Sequence, residues 1–182
     1  MSPLPIVVAA LVRTIDAHPK LNASFEQDGT GGGGPEIVLH GPRNVGIATD
    51  TPNGLMVPVV KDAAPLGIAA LAKEIRRLTV ASREGRATPS EVTGSTITVS
   101  NVGTFGAEFG TPIINHPEGA ILAVGVIEPR ALVVAGLVEA RPATILSLTF
   151  DHRLMDGAEA GRALRALADL LESPFELGSL PR

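Results

Sequence analysis

The chain has 182 residues, of which 45% are hydrophobic and 19% are charged, so it suits one globular domain and excludes a largely disordered segment. A net charge of −4 argues against nucleic acid or an anionic membrane surface as the main partner. The absence of cysteine excludes disulfides, thiolate nucleophiles, iron–sulfur clusters and cysteine zinc sites.

Hydrophobic periodicity predicts three amphipathic helices, in residues 2–18, 68–78 and 158–171. Short apolar runs bounded by turn residues predict strands, at residues 37–40, 45–48, 55–60, 96–100, 120–124, 131–134 and 144–150. Pro58 predicts an edge position or a bulge in the third run. This order predicts an α+β fold, with a mixed or mostly antiparallel sheet flanked by helices, and a single domain over residues 1–182.

Several common functional motifs are missing. The glycine loop Gly29–Gly34 is followed by Pro35 and an extended run rather than by Lys-Ser or Lys-Thr and a helix, which favours a hairpin tip over a phosphate cradle. The four histidines lack ligand spacing, so we expect no metal. The Gly-x-Ser-x-Gly motif of serine hydrolases is absent. The apolar run of residues 4–12 is too short to span a bilayer and lacks signal-peptide features, so we expect a cytoplasmic protein.

The segment Asp151–Gly157 combines an apolar strand, a histidine and a turn. His152 follows the strand directly, which is compatible with a catalytic histidine and equally with a structural histidine at a strand end. Asp156 and Glu159 have the spacing of a capping box that opens the last helix, so Asp156 also has a structural explanation.

This segment, Asp-His-Arg-Leu-Met-Asp-Gly, resembles the Asp-His-Arg-x-x-Asp-Gly signature of dihydrolipoyl acyltransferases, the core components of 2-oxoacid dehydrogenase complexes. Further stretches resemble the same family in the same order, namely Leu21–Ser24, Gly46–Leu55, Val57–Lys61, Ser100–Gly103, Thr111–Asn115 and Ala120–Gly125. The resemblance covers residues 4 to about 175.

The resemblance implies a chloramphenicol-acetyltransferase-like fold, a homotrimer and an active site in a channel between subunits. It implies acyl transfer between coenzyme A and the lipoyl group of a separate domain or chain, within a complex that includes other dehydrogenase components. His152 then matches the general base, Ser100 the hydroxyl that stabilises the oxyanion, and Asp156 a carboxylate that organises the histidine loop. A neutral imidazole accepts a thiol proton at pH 7 at modest cost, which fits the first role.

The remaining candidates surround these residues. Asn101 and Gly103, with Gly106, are expected to permit a tight turn or a close approach of the backbone to a ligand. Thr111 and Asn115 are candidates for lining the channel, with packing as the other interpretation. Asp50 and Gly54 in the central hairpin are expected near the substrate.

The sequence departs from the family pattern in three respects. The family's catalytic domain carries residues before the helix at Leu4, including an arginine expected to pair with the carboxylate matching Asp156. No lipoyl domain, subunit-binding domain or lipoylation turn is found, so the chain is interpreted as a fragment or a truncated paralogue. The C-terminal tail offers only Phe175, Leu177 and Leu180, so a trimer is expected and assembly into a larger cubic core stays open.

Three functions are therefore compared. The first is dihydrolipoamide acyltransfer, with an acetyl, branched-chain or succinyl group that the sequence does not distinguish. The second is a stand-alone acetyltransferase on a small hydroxyl acceptor, as in chloramphenicol acetylation. The third is a non-catalytic scaffold subunit of a multienzyme core, for which His152→Ala would change nothing beyond stability.

Overall fold

The computed structural model describes residues 2–27 and 34–173. Within this part of the chain the three predicted helices are confirmed as α1 (Leu4–Ala17), α2 (Ile68–Arg83) and α3 (Gly157–Glu172). Most of the predicted glycine loop and the whole predicted C-terminal tail lie outside the described residues.

The strands also follow the predicted order, but one predicted strand is divided in two, and residues 23–26 and 137–143 form strands that the pattern did not predict. They are β1 (Ala23–Glu26), β2 (Glu36–Leu39), β3 (Val45–Thr51), β4 (Gly54–Met56), β5 (Val59–Val60), β6 (Ile97–Asn101), β7 (Ala120–Val124), β8 (Glu128–Val134), β9 (Leu137–Ala143) and β10 (Leu146–Phe150). The predicted strand at residues 55–60 is divided into β4 and β5, which both pair with β3. Pro58 stands at this break, where the prediction expects a bulge or an edge.

A mixed sheet forms the centre of the fold. Its main path is β10–β7–β6–β3–β4. The pairs β6–β7 and β3–β6 are parallel, whereas β10–β7 and β3–β4 are antiparallel. The α+β class with a mixed sheet is thereby confirmed.

One face of this sheet carries the helices. The three helices lie side by side in the order α2–α1–α3, with α1 in contact with both others. Alternate strand residues such as Val45, Ile97 and Leu122 join Leu11 of α1 and Leu71 of α2 in one buried cluster. The residues between them, including Thr98, therefore face away from the helices.

Two small two-stranded sheets complete the described structure. β1 pairs with β2, and β8 pairs with β9 over their full length. The tight turn between β8 and β9 places Ala135 and Gly136 at positive φ, 50° and 83°. None of the described helices is long and apolar enough to cross a membrane.

Candidate active site

The candidate site residues lie at two opposite ends of the central sheet. Strand register places Ser100 beside Ala123 of β7, and Ala123 beside Ser147 of β10. Phe150, at the far end of β10, pairs with Ala120, and His152 lies beyond it. Ser100 and Phe150 are therefore separated by about 10 Å along the strands and two strand spacings, about 10 Å, across them. Hence Ser100 and His152 of the same chain cannot share a hydrogen bond.

The loop between β10 and α3, Asp151–Asp156, is here called the histidine loop, and hydrogen bonds and an ion pair hold it in place. The N–H of Asp151 continues the sheet by donating to Gly119 O at 2.8 Å. The Asp151 carboxylate accepts from the backbone N–H of Arg153 at 2.9 Å and forms an ion pair with its guanidinium at 2.6 Å. Arg153 also stacks 4.0 Å from the ring centroid of Phe25. These contacts hold the chain on both sides of His152, whose own side chain is exposed.

The contacts of Arg153 have an electrostatic consequence for Asp151. The hydrogen bonds from Arg153 hold the pKa of the Asp151 carboxyl below its usual range. Asp151 therefore stays ionised at neutral pH and keeps Arg153 in place. Sequence reasoning did not assign a role to either residue, although their i,i+2 spacing around the histidine is a usable signal for such a brace.

Asp156 begins the last helix as a capping box predicts. Its Oδ1 accepts from the backbone N–H of Glu159 at 2.7 Å, and the Glu159 carboxylate accepts from the N–H of Asp156 at 3.2 Å. The first of these bonds lowers the pKa of Asp156. Lys20 binds Glu159 at 2.9 Å and ties the start of α3 to the segment after α1. Asp156 thus fixes the backbone four residues after His152.

At the other end of the sheet, Ser100 and Asn101 end β6. Strand alternation turns Ser100 away from the helices and Asn101 toward them. Asn101 and Asp50 line one cleft of about 850 Å³ between β3, α2 and the start of α1. The walls of this cleft also carry the cationic side chains of Lys73, Arg76 and Arg83. Gly54 is exposed and begins β4 directly after the turn that follows β3, at a φ of 102°.

The glycines after β6 have packing explanations. A Cβ built on Gly103 would lie 2.4 Å from Gly125 O and 2.5 Å from Val126 N, so only glycine fits against that backbone. Gly106 ends a short 3₁₀ turn at a φ of 78°. The tight-turn interpretation therefore applies to Gly106, and close approach at Gly103 is an approach to the protein's own backbone. A role of Gly103 in ligand binding stays a prediction.

Thr111 and Asn115 occupy the segment that runs from the Ser100 end of the sheet to the His152 end. Thr111 is exposed on this segment. Asn115 donates from Nδ2 to Glu118 Oε1 at 2.8 Å. Asn115 therefore anchors the segment next to the strand that pairs with the histidine loop.

Glu118 is a buried carboxyl that the sequence analysis did not single out. It is 5% exposed, and its Oε1 accepts hydrogen bonds from Ser95, Thr98 and Asn115. Its Oε2 is buried without a hydrogen-bond partner. Burial raises the pKa of Glu118, and the three donors oppose this only in part. No sequence pattern marks Glu118, because two of its three donors, Ser95 and Thr98, lie 23 and 20 residues earlier in the chain.

We expect Glu118→Gln to remove a pH-dependent loss of stability. The carboxyl binds its proton more tightly in the folded chain than in the unfolded chain. The free energy of unfolding therefore falls as the pH rises from the unfolded pKa of a glutamate, near 4.3, through the raised folded pKa. Glutamine keeps an oxygen for the three donors and cannot ionise, so urea denaturation between pH 4 and 8 should show a flatter profile for the variant.

Glu84→Gln is the matched control for this experiment. Glu84 is exposed beside Arg86, and exposed ion pairs contribute little to stability. The free energy of unfolding of Glu84→Gln should vary with pH as that of the unmodified chain does. A Glu118→Gln profile that also follows the unmodified chain would show that the buried carboxyl does not titrate as argued.

The described residues contain no group of three or more histidine, aspartate or glutamate side chains arranged to hold a metal ion. The candidate site therefore consists of a histidine loop, a serine strand end and a cationic cleft. These groups can bind, orient and deprotonate a ligand.

Comparison with known proteins gives a consistent result. Residues 1–178 match the family described as 2-oxoacid dehydrogenases acyltransferase (catalytic domain). The chain is 44% identical over 171 residues to the dihydrolipoyllysine-residue acetyltransferase component of a Staphylococcus aureus pyruvate dehydrogenase complex. This match covers 94% of the chain and 39% of the relative, so the chain spans well under half of that protein.

Solved structures show the same similarity. The cubic core of a pyruvate dehydrogenase multienzyme complex matches with a TM-score of 0.90 and 30% identity, over 97% of this chain and 70% of that chain. A dihydrolipoamide acetyltransferase of Azotobacter vinelandii matches with a TM-score of 0.89 and 29% identity, over the same shares. A chloramphenicol acetyltransferase, with a TM-score of 0.57 and 15% identity over 94% of this chain and 78% of that chain, confirms the predicted fold alone.

Proposed function

The chain belongs to the family of 2-oxoacid dehydrogenase acyltransferase catalytic domains, and on this premise we propose that it transfers an acyl group between coenzyme A and a dihydrolipoyl thiol. The observation that carries the proposal is the exposed His152 at the end of β10, held by the Asp151–Arg153 brace and by the Asp156 cap. We further propose that residues 1–182 act as one catalytic domain, with the lipoyl group on another domain or chain.

His152 acts as the general base in this reaction. It takes the proton of the attacking thiol, and the thiolate adds to the carbonyl carbon of the thioester. Ser100 of a second copy donates its hydroxyl hydrogen bond to the oxygen that becomes negative. The intermediate then collapses, the carbon–sulfur bond to the other thiol breaks, and the protonated His152 returns its proton to the departing thiolate. The step needs no acyl-enzyme, which suits a chain without cysteine.

The Azotobacter relative supports these roles. A serine, a histidine and an asparagine have been investigated for their part in its catalytic mechanism. Its serine and histidine numbers differ by 52, as do those of Ser100 and His152, and its asparagine follows the histidine by four, as Asp156 does. An asparagine carries no titratable proton, which supports Asp156 as an organiser of the loop and not as a proton carrier.

The cationic cleft supports coenzyme A as the thiol substrate. Lys73, Arg76 and Arg83 offer positive charge for phosphate groups, and the cleft reaches Asn101, the neighbour of Ser100. Its volume of about 850 Å³ lies in the range of small-molecule sites. A ligand bound there would lie on the helix side of the sheet and would have to pass the end of β6 to reach the Ser100 hydroxyl, which faces the other side.

The similar proteins support a proposal about what this chain assembles and acts with. We propose a homotrimer that acts with a lipoyl domain and with the other components of a dehydrogenase complex, since a matched solved structure is the cubic core of such a complex. The Staphylococcus relative is an acetyltransferase component, which favours an acetyl group over branched-chain and succinyl groups. Its place in a bacterial metabolic complex favours a cytoplasmic location.

Thioester exchange between acyl-coenzyme A and free dihydrolipoamide tests the proposal. The acetyl, isobutyryl and succinyl donors are each assayed with the unmodified chain and with His152→Ala. We expect turnover with at least one donor, highest with acetyl, and its loss in the variant. His18→Ala is the matched control, because the mechanism gives His18 no role, although it lines a pocket with Met155 and Glu159 next to the start of α3, and it should keep full exchange.

A folded protein that exchanges no donor would contradict the proposal and would favour the non-catalytic scaffold. Acetyl transfer to a small hydroxyl acceptor without transfer to dihydrolipoamide would favour the stand-alone acetyltransferase instead. Exchange that His152→Ala leaves unchanged would remove His152 from the catalytic role.

A further inference from the structure

Residues 20–26, here called the anchor segment, lie against the histidine loop and the start of α3. The segment comprises most of the 3₁₀ turn Pro19–Asn22 and all of β1. Lys20 binds Glu159 in the first turn of α3, and the ring of Phe25 packs against the guanidinium of Arg153. One short segment therefore holds the histidine loop near both of its ends.

The contact of Phe25 acts on the residues that flank His152. The guanidinium carbon of Arg153 lies 4.0 Å from the centroid of the Phe25 ring, within the range of a cation–π interaction. The same guanidinium donates to the Asp151 carboxylate from Nε at 3.0 Å and from Nη2 at 2.6 Å. The Arg153 side chain is 57% exposed, so its ion pair alone would hold it weakly. The Phe25 ring supplies a second contact that fixes its place.

Gly119 lies between the anchor segment and the histidine loop. Its carbonyl accepts the N–H of Asp151 at 2.8 Å. A Cβ built on Gly119 would lie 2.6 Å from Ala23 O and 2.1 Å from Leu154 Cδ1, so there is no room even for a methyl group. The two segments are thus packed without a gap, and a displacement of one displaces the other.

Lys20 secures the other end of the histidine loop. Its ammonium group donates to both carboxylate oxygens of Glu159, at 2.9 Å and 3.0 Å. These bonds lower the pKa of Glu159, which therefore stays ionised at neutral pH. The ionised carboxylate accepts the N–H of Asp156 and closes the capping box. Lys20 thus acts on Asp156 through Glu159.

The imidazole of His152 depends on this support for its placement. Its ring packs against the ring of Phe150 at an angle of 38°, with 5.7 Å between the centroids. None of the described residues forms a hydrogen bond with the imidazole. A general base must lie within hydrogen-bond reach of the proton that it takes. The backbone of the histidine loop therefore sets where the base can act.

We propose that Phe25 and Lys20 are positioning residues for His152, and that the anchor segment holds the histidine loop in the geometry that acyl transfer needs. Phe25 acts through Arg153, and Lys20 acts through Glu159. The inference rests on the proposed function for the role of His152 as general base. It concerns the chemical step and not binding, so it predicts a lower kcat with an unchanged KM for acyl-coenzyme A.

The variants Phe25→Leu and Phe25→Tyr test the first contact. Phe25 is half-buried and leucine keeps much of its apolar packing, so both variants should keep the circular dichroism spectrum of the unmodified chain. A displacement of a catalytic group by about 1 Å can cost about a hundredfold in rate, so a smaller displacement in Phe25→Leu should lower kcat about tenfold. Phe25→Tyr keeps the aromatic face and should restore the unmodified kcat.

The variants Lys20→Met and Lys20→Arg test the second contact. Lys20→Met should lower kcat by about threefold to tenfold, and Lys20→Arg, which can also bind both oxygens of a carboxylate, should restore it. Lys61→Met is the matched control. Lys61 is exposed and donates to Thr93 O, and three strands separate β5 from β10 in the sheet, so kcat should not change.

The background His152→Ala separates positioning of the histidine from any other effect. No imidazole is left to place in this background, so adding Phe25→Leu should leave the residual exchange unchanged. A further fall as large as that in the unmodified chain would show that Phe25 acts on another group, and it would overturn the proposal.

Amide hydrogen exchange gives a readout that does not need activity. The backbone N–H of Arg153 donates to Asp151, so it is protected while the loop is in place. We expect this amide to exchange about tenfold faster in Phe25→Leu and at the unmodified rate in Phe25→Tyr.

The outcomes separate this inference from the proposed function. A loss of stability to urea in Phe25→Leu with unchanged kcat and unchanged Arg153 amide exchange would show a merely structural role and overturn the proposal. An unmodified chain without thioester exchange would contradict the proposed function, and faster Arg153 amide exchange in its Phe25→Leu variant would still support the anchor segment as the element that holds the histidine loop.

Discussion

Two inactive variants are expected to restore each other when they assemble together. Ser100→Ala removes the proposed oxyanion donor and His152→Ala removes the proposed base, and each alone should lower thioester exchange by a factor of about 100 or more. Because the two residues lie at opposite ends of the sheet, each active site takes them from different copies. A mixed assembly therefore contains some sites with both residues intact.

The extent of recovery follows from random assembly. In an equal mixture, a site has an intact serine in one half of cases and an intact histidine in one half. About a quarter of the sites should then be complete, so exchange should return to about a quarter of the unmodified rate in a closed ring with independent sites. Co-expression with two different affinity tags, followed by tandem purification, removes the unmixed trimers. Every mixed trimer has one complete site in three, so the exchange assay should then give about a third of the unmodified rate.

A mixture of His152→Ala with His152→Gln serves as the control. Both variants lack the same residue, so no mixed site is complete and exchange should stay at the level of either variant. If Ser100→Ala with His152→Ala recovers no more than this control, the site lies within one chain and the argument from strand register is wrong.

Patterns within short stretches of sequence predict most of the helices and strands. The apolar spacing in α1 and α2 and the capping box at Asp156 predicted helices that the structure confirms, because these signals lie within a few residues of one another. β6 and β7 were predicted for the same reason, since both are apolar runs between turn residues.

Elements that depend on distant partners were missed. β1 has only four residues, directly after a 3₁₀ turn, and it exists because β2 pairs with it. Glu118 is polar in sequence and buried in the fold, because Ser95, Thr98 and Asn115 surround it. Neither fact can be obtained from a sequence window.

The candidate site, too, is predicted from the sequence only in part: its residues are, and their relative positions are not. Sequence motifs pointed to Ser100 and His152 through a family resemblance, and physical reasoning supplied a role for each. Motif order says nothing about which ends of a sheet two residues occupy, since that depends on the parallel pairing of β6 with β7 and the antiparallel pairing of β7 with β10. A site that uses both residues therefore needs a second copy, because strand register separates them within one chain.

Gly103→Ala is expected to destabilise the Ser100 end of the sheet strongly. The added methyl group would lie 2.4 Å from Gly125 O and 2.5 Å from Gly125 C and Val126 N. These are backbone atoms at the end of β7, so they cannot turn aside as a flexible side chain could. Overpacking typically costs about 1–3 kcal/mol, and we expect the upper end of this range in urea denaturation.

Gly161→Ala is the control for the loss of a glycine. Gly161 lies within α3, and a Cβ there meets no atom within 4 Å. Alanine is favoured over glycine inside a helix by about 1 kcal/mol, so this variant should be more stable than the unmodified chain. If Gly103→Ala instead keeps its stability and raises the KM for acyl-coenzyme A, then Gly103 serves the approach of the ligand. Close packing against Gly125 would then be the weaker explanation for a glycine at this position.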